Sequence, residues 1–161
     1  MKYFTMEEFT NSETAEKYKI NNKPNLIYKN NIIQFVNNLL DPLREAWSVY
    51  CKKNNLGKAS IIISSGFRSY ELNQKIGGSQ TSAHSYGWAA DLQPSNGKLK
   101  EFKKFCREWL EDKKFDQMIS EHETNGIPKW IHLGYRSMRY GQRKQFLYTT
   151  PDQPNKYKSL K

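Results

Sequence analysis

Long apolar runs are missing from this chain of 161 residues, and none approaches the roughly 18 to 20 residues of a membrane span. The opening segment from Met1 to Thr10 carries Glu7 and Glu8 where a secretory leader would be apolar, so the expectation is synthesis in the cytoplasm without a signal peptide. Cysteine is scarce. Cys51 and Cys106 lie in helical-looking segments with no CxxC and no Cys/His ligand spacing around them, which predicts buried free thiols rather than a disulfide framework. Internal repeats and low-complexity blocks are absent as well. Acidic residues are few against basic ones, 16 to 26, which leaves a formal charge of +10. What is present argues for a folded domain: 37% of residues are hydrophobic and 14% aromatic, too much apolar mass for a disordered chain, and the length suits one core.

The pattern along the chain is mixed. Thr5 ahead of Glu8, and Ser12 ahead of Ala15 and Glu16, predict two short capped helices before Pro24. From Tyr28 to Lys53 apolar residues recur at spacings of three and four, the strongest helical signal in the chain, with Asp41-Pro42 marking either a kink or the junction of two helices. The β-branched run from Ala59 to Ser64 reads as a buried strand, with Arg68 projecting beyond its end. A short helix dissolving into the loop 77–82, a strand from Trp88 to Leu92, and an amphipathic helix containing Leu99, Phe102, Phe105, Cys106 and Leu110 follow. Two strands, Phe115 to Glu123 and Ile127 to Tyr135, flank Asn125-Gly126, a strong hairpin signal. Residues from 134 onward are polar, basic and weakly periodic.

Two of the three histidines sit where chemistry can be built. His84 is separated from Asp91 by a loop-to-strand turn through Gly87, and His132 lies in the last hairpin strand, which a neighbouring strand can bring to the same point. Two imidazoles and one carboxylate, with a fourth position open, make the ligand count of a catalytic zinc site. The spacing alone is a weak signal, since a His and an Asp seven residues apart are common.

The surrounding words are more specific. SGFRS at Ser65 to Ser69, GGSQTSAHSYGWAAD at Gly77 to Asp91 and WIHLGYR at Trp130 to Arg136 together resemble the zinc D-Ala-D-Ala peptidases of the M15 family, in particular its M15A-like branch of phage and bacterial peptidoglycan peptidases. All five fixed positions of the SxHxxGxAxD motif are matched, at Ser82, His84, Gly87, Ala89 and Asp91. The resemblance runs over about residues 4 to 137. It implies one zinc ion held by His84, Asp91 and His132, and an α+β fold with a small, mostly antiparallel sheet and packed helices, as in Hedgehog-like and DD-peptidase proteins. It places the peptidase domain over residues 1–140, followed by a basic tail over 141–161.

The same resemblance implies that Arg68 binds a substrate carboxylate or the developing oxyanion, against the plainer role of an ion pair to Glu71 or Asp91. Ser82, Gln80 and Tyr135 become candidate substrate contacts, and Gly77 and Gly78 would let a loop pass close to a peptide. Several family members carry a Glu three residues before the last zinc histidine, but this chain has Lys129 there. A two-residue turn at Asn125-Gly126 supplies a substitute, because opposed residues then sum to 251: Glu121 faces Trp130 and Ile119 faces His132. The candidate general bases are therefore Glu121, then His122 if the register slips by one, then Glu123. Asp116, in FDQMI, is a candidate partner for a ligand histidine.

The implied activity is hydrolysis of peptide bonds in peptidoglycan stem peptides, as a D-Ala-D-Ala carboxypeptidase or an endolysin-type endopeptidase. The alternative is a catalytically weak zinc scaffold serving as a cell-wall-binding or virion module. Nucleic acid is the less favoured partner, since the lysines form no stripe and no nucleic-acid motif occurs. A monomer is expected, reaching the wall after holin-type release or inside a virion. From Gly134 onward seven basic residues and one acid contribute +6 of the +10, which points to anionic wall polymers as partners of the tail.

Overall fold

In the computed structural model, which describes residues 1–137 and 139–160, six helices and six strands form an α+β architecture around a single sheet. Helices α1 (Met6–Thr10) and α2 (Glu13–Tyr18) begin where the capping residues predict. Thr5 and Glu8 form a reciprocal capping box, and the Ser12 hydroxyl accepts from the Ala15 amide. The long periodic segment divides into α3 (Leu26–Phe35), one π-helical turn (Val36–Leu40) and α4 (Asp41–Lys53). The cause is Pro42: lacking an N–H, it cannot bond the carbonyl four residues back, and the ladder widens so that the Asp41 amide donates to the Val36 carbonyl.

Strand β1 (Ile61–Ser65) is followed by α5 (Tyr70–Lys75), a single 3₁₀ turn (Ala83–Tyr86), β2 (Ala89–Pro94) and α6 (Leu99–Trp109). Strands β3 (Gln117–Glu121) and β4 (Trp130–Gly134) form the predicted hairpin in the predicted register, with Glu121 opposite Trp130 and Ile119 opposite His132. Asn125 (φ 53°) and Gly126 (φ 76°) occupy the left-handed conformations that a two-residue turn of this kind demands. His122 is also left-handed (φ 52°) and ends β3 two residues earlier than expected.

The sheet order is β1-β2-β4-β3-β5-β6, where β5 (Gln145–Thr150) and β6 (Gln153–Ser159) come from the stretch read as a basic tail. The sheet is mixed rather than mostly antiparallel, because β5 runs parallel to β3, Gln117 pairing with Gln145 and Ser120 with Tyr148. The pairing begins at a clamp. Arg143 donates to both oxygens of the buried Asp116 carboxylate (2.8 and 2.6 Å), and the amides of Lys144 and Gln145 reach the carbonyls of Phe115 and Asp116.

Strand alternation separates a core face from a site face. Ala90, Leu92, Met118, Ile131 and Leu133 are fully buried in the core with residues of α3, α4 and α6, where Trp47 packs on Tyr50, Phe102 and Phe105. Asp91, Ile119, Glu121, Trp130 and His132 alternate with them on the other face. Cys51 and Cys106 are free and buried, and burial pushes the Cys106 thiol well up, so both behave as small core residues. Among the described residues no helix is long and apolar enough to cross a membrane.

Candidate metal centre

Three elements deliver three donor atoms to one point. His84 sits on the 3₁₀ turn, Asp91 on β2 and His132 on β4, where Asp91 and His132 are directly paired across the ladder. His84 Nε2 lies 3.1 Å from His132 Nδ1 and 3.3 Å from Asp91 Oδ1, and His132 Nδ1 lies 3.0 Å from the same oxygen. All three residues are buried. Ligands about 2.0 to 2.1 Å from a tetrahedral zinc stand roughly 3.3 Å from one another, so the donor spacing and the N₂O chemistry fit one zinc ion. His84 Nδ1 is 2.7 Å from the Gly66 carbonyl oxygen, which can only accept, so the proton is on Nδ1 and the Nε2 lone pair is free for a metal.

Local sequence explains this placement. Gly87 has φ +74°, and a Cβ there would meet the Tyr28 carbonyl oxygen at 2.8 Å and Ile32 at 2.9 Å, so glycine is required to turn the chain from His84 into β2. A Cβ at Gly66 would fall 2.5 Å from the Phe9 carbonyl oxygen, so the backbone that holds His84 Nδ1 can lie against α1 only as glycine. Burial lowers the pKa of His84, against the raising influence of Asp91, and favours the neutral, ligating imidazole. Burial alone would raise Asp91, but its contacts with the His84 and His132 rings outweigh it and hold the carboxyl far below its usual range, in the ionised, ligating form.

Arg68 donates from Nη2 to Asp91 Oδ2 (2.8 Å) and from Nε to Ser65 Oγ (2.9 Å). The ion pair with Asp91 is therefore the contact observed, and it fixes the carboxylate so that Oδ1 faces the histidines. Glu121 lines the cavity above this site, and burial raises its pKa, with the Asp91 charge adding and those of His132 and Arg68 opposing. His122 also lines it, with its ring packed on Trp130 at 4.9 Å and its amide donating to Thr149 Oγ1. Glu123 is turned away by the left-handed residue before it and pairs with Lys103 on α6. Lys129 is exposed and alternates to the face opposite Trp130 and His132. Asp116 does not touch a histidine ligand. It is taken by Arg143, with Arg136 at 3.8 Å.

A cavity of about 980 Å³ opens over the three donors. Gly77, Gly78 and Ser82 line it, as do Ser79 and Thr81 of the same loop. Two expected substrate contacts lie elsewhere. Tyr135 is buried in the core, 6.3 Å from the ring of Phe35 and 5.8 Å from that of Trp88, because it is one residue past the end of β4 on the core side. Gln80 is exposed and borders a shallow groove with Tyr28, Tyr70 and Tyr86, outside the main cavity. The residues that sequence reasoning missed are those of the opposite wall: Arg136, Tyr140 and Arg143, then Asn155 and Tyr157 of β6. The available signal was QFLYTT, an aromatic and β-branched run ending at a Pro-Asp turn.

Comparison with known proteins agrees with this geometry. Of curated proteins, a zinc D-Ala-D-Ala carboxypeptidase of Streptomyces albus G is 39% identical over 46 residues, which cover 29% of this chain and 18% of that protein. The profile of the family described as Peptidase M15 matches residues 2–134, a span that contains all three donor residues and ends at the last residue of β4. The chain belongs to the peptidase M15 family.

Proposed function

We propose that the protein is a zinc-dependent peptidase that hydrolyses peptide bonds in peptidoglycan stem peptides, as a D-Ala-D-Ala carboxypeptidase or an endolysin-type endopeptidase. The observation that carries this reading is the convergence of His84, Asp91 and His132 donors within 3.3 Å at the floor of a peptide-sized cavity that also presents a half-buried carboxylate, Glu121. The family supports the reaction class, and the substrate is carried over from the name of the Streptomyces relative.

His84, Asp91 and His132 hold the metal. When bound, zinc supplies a Lewis acid for the scissile carbonyl and lowers the pKa of a water. The remaining work falls to the protein. Arg68 keeps Asp91 in its ligating orientation through Oδ2. Glu121, on the same face two residues along β3 from the level of His132, accepts a proton from the attacking water and returns it to the leaving amine. The basic C-terminal segment holds the domain on anionic wall polymers, an electrostatic attraction screened by salt.

The test is metal analysis of the purified protein followed by turnover of muropeptides with and without chelator. Stoichiometric zinc is expected, with hydrolysis lost on chelation and reduced about 10²- to 10⁴-fold in Glu121→Gln while zinc is retained. Zinc without hydrolysis would favour a wall-binding module, and absence of zinc would overturn the proposal.

A further inference from the structure

Arg68 spends Nε on Ser65 and Nη2 on Asp91, so cations less engaged than Arg68 are to be sought elsewhere along the cavity for a carboxylate of the substrate. Among the described residues, two other arginines line it, Arg136 and Arg143, both from the chain beyond β4. They share one counter-charge. Asp116 is buried, with 4% of its side chain exposed, whereas the Arg136 and Arg143 side chains are 40% and 46% exposed. Two guanidinium groups over one carboxylate leave a surplus positive charge facing the cavity.

Arg136 is the less occupied of the two. Its Nε is 3.8 Å from Asp116, beyond hydrogen-bond distance, and its guanidinium stacks over Tyr140, 5.6 Å from the ring centroid. Its backbone is fixed nonetheless, since the Gln142 side chain accepts from the Arg136 amide and donates to the Arg136 carbonyl. The fork is thus positioned without being consumed, and a planar guanidinium matches a carboxylate in two hydrogen bonds.

The strand register gives the distance. Ile119 is level with His132, Glu121 lies two residues to one side, and Asp116 lies three residues to the other, roughly 10 Å along the strand direction. The cavity therefore runs from a carboxylate at Glu121, past the metal ligands, to the arginine pair. We infer that Arg136 and Arg143, seated on Asp116, form a carboxylate-binding subsite for a peptide lying along β3, taking a free carboxylate within about three residues of the bond to be cut. This deepens the peptidase reading and rests on it for the identity of the peptide. The carboxylate is either the C-terminal one or that of an acidic residue within the peptide.

The experiment is calorimetric binding to the full chain, zinc-loaded and chelated, of three short peptides ending in D-Ala-D-Ala and containing one acidic residue: the free acid, its C-terminal amide, and its internal carboxamide. Amidation at one of the two positions is expected to weaken binding to the wild type by about 10-fold or more, the loss of a charge-assisted contact. The position that matters identifies the source. In Arg136→Gln the three peptides should bind alike, and Arg136→Lys should recover part of the discrimination. Undetectable binding of the free acid, no discrimination by the wild type, or wild-type discrimination retained in Arg136→Gln would each overturn the subsite. Turnover followed on the same samples separates the two claims: discrimination without hydrolysis leaves the subsite standing and removes the peptidase reading.

Discussion

Glu121 combines burial with charge at a position where burial works against charge. Its pKa is raised above that of an ordinary glutamate, so the fold favours its neutral form and holds its charged form at a cost. In the metal-free protein the stabilising preference for the neutral form is present in full below the ordinary glutamate range. It is lost as pH rises through the elevated folded value. Glu121→Gln, which is neutral at every pH and similar in shape, should therefore raise the melting temperature of the chelated protein by a few degrees at pH 7 to 8, with the gain shrinking to nothing toward pH 4. Thermal unfolding of both proteins across that range checks it. A difference independent of pH, or a destabilised variant at pH 7, would contradict the account of a half-buried carboxylate held at a cost. The residue that is costly to the empty fold is the one assigned as proton acceptor, a pairing expected where a site is built for chemistry rather than for stability.

At the scale of elements, the parts readable in advance were those governed by local rules. The Asn125-Gly126 turn dictates a pairing sum, so the placement of Glu121 and Ile119 around His132 followed from two consecutive residues. The capped helices followed likewise from Thr5, Glu8 and Ser12. What local rules could not show was the return of the chain to the far side of β3, because β5 is half-exposed and its parallel pairing depends on a contact between Asp116 and Arg143, 27 residues apart. Tyr135 stands apart, since alternation continued one residue past β4 does put it on the core side with Ile131 and Leu133, away from His132. The Asp116 clamp makes its own prediction. Arg143→Met leaves a buried carboxylate with the distant Arg136 and one long backbone contact from residue 143, and should cost about 1 to 3 kcal/mol, below the figure for a fully buried pair because the Arg143 side chain is half-exposed. Adding Asp116→Asn should restore a good part of that loss, because the remaining amide needs no counter-ion. Denaturant titration of the single and double variants measures the coupling. If the double variant is as unstable as the sum of its parts, the pair is not what docks β5.

The whole molecule gives the formal charge of +10 a direction. Of the seven basic residues beyond Gly134, Arg136 and Arg143 face the cavity, while the strand alternation of β6 sends Asn155 and Tyr157 to the cavity and Lys156 and Lys158 to the other side. One strand thus contributes a wall to the site and basic side chains to the surface behind it, where Lys158 lies over the ring of Tyr148. The basic stretch is therefore a sheet edge with two faces, and its surface charge is held in a fixed array against the domain. If that array is what engages anionic wall polymers, Lys156→Gln with Lys158→Gln should weaken binding to isolated cell walls several-fold at low ionic strength. It should also flatten the dependence on salt, since exposed charges act over a Debye length of about 10 Å at 0.1 M. Lys100→Gln with Lys104→Gln removes the same net charge from exposed positions on α6 and provides the comparison. A larger effect at β6 assigns the contact to the sheet edge. Equal effects from the two pairs would mean that the walls respond only to the net charge of the protein, and the edge strand would then have no part in holding it there.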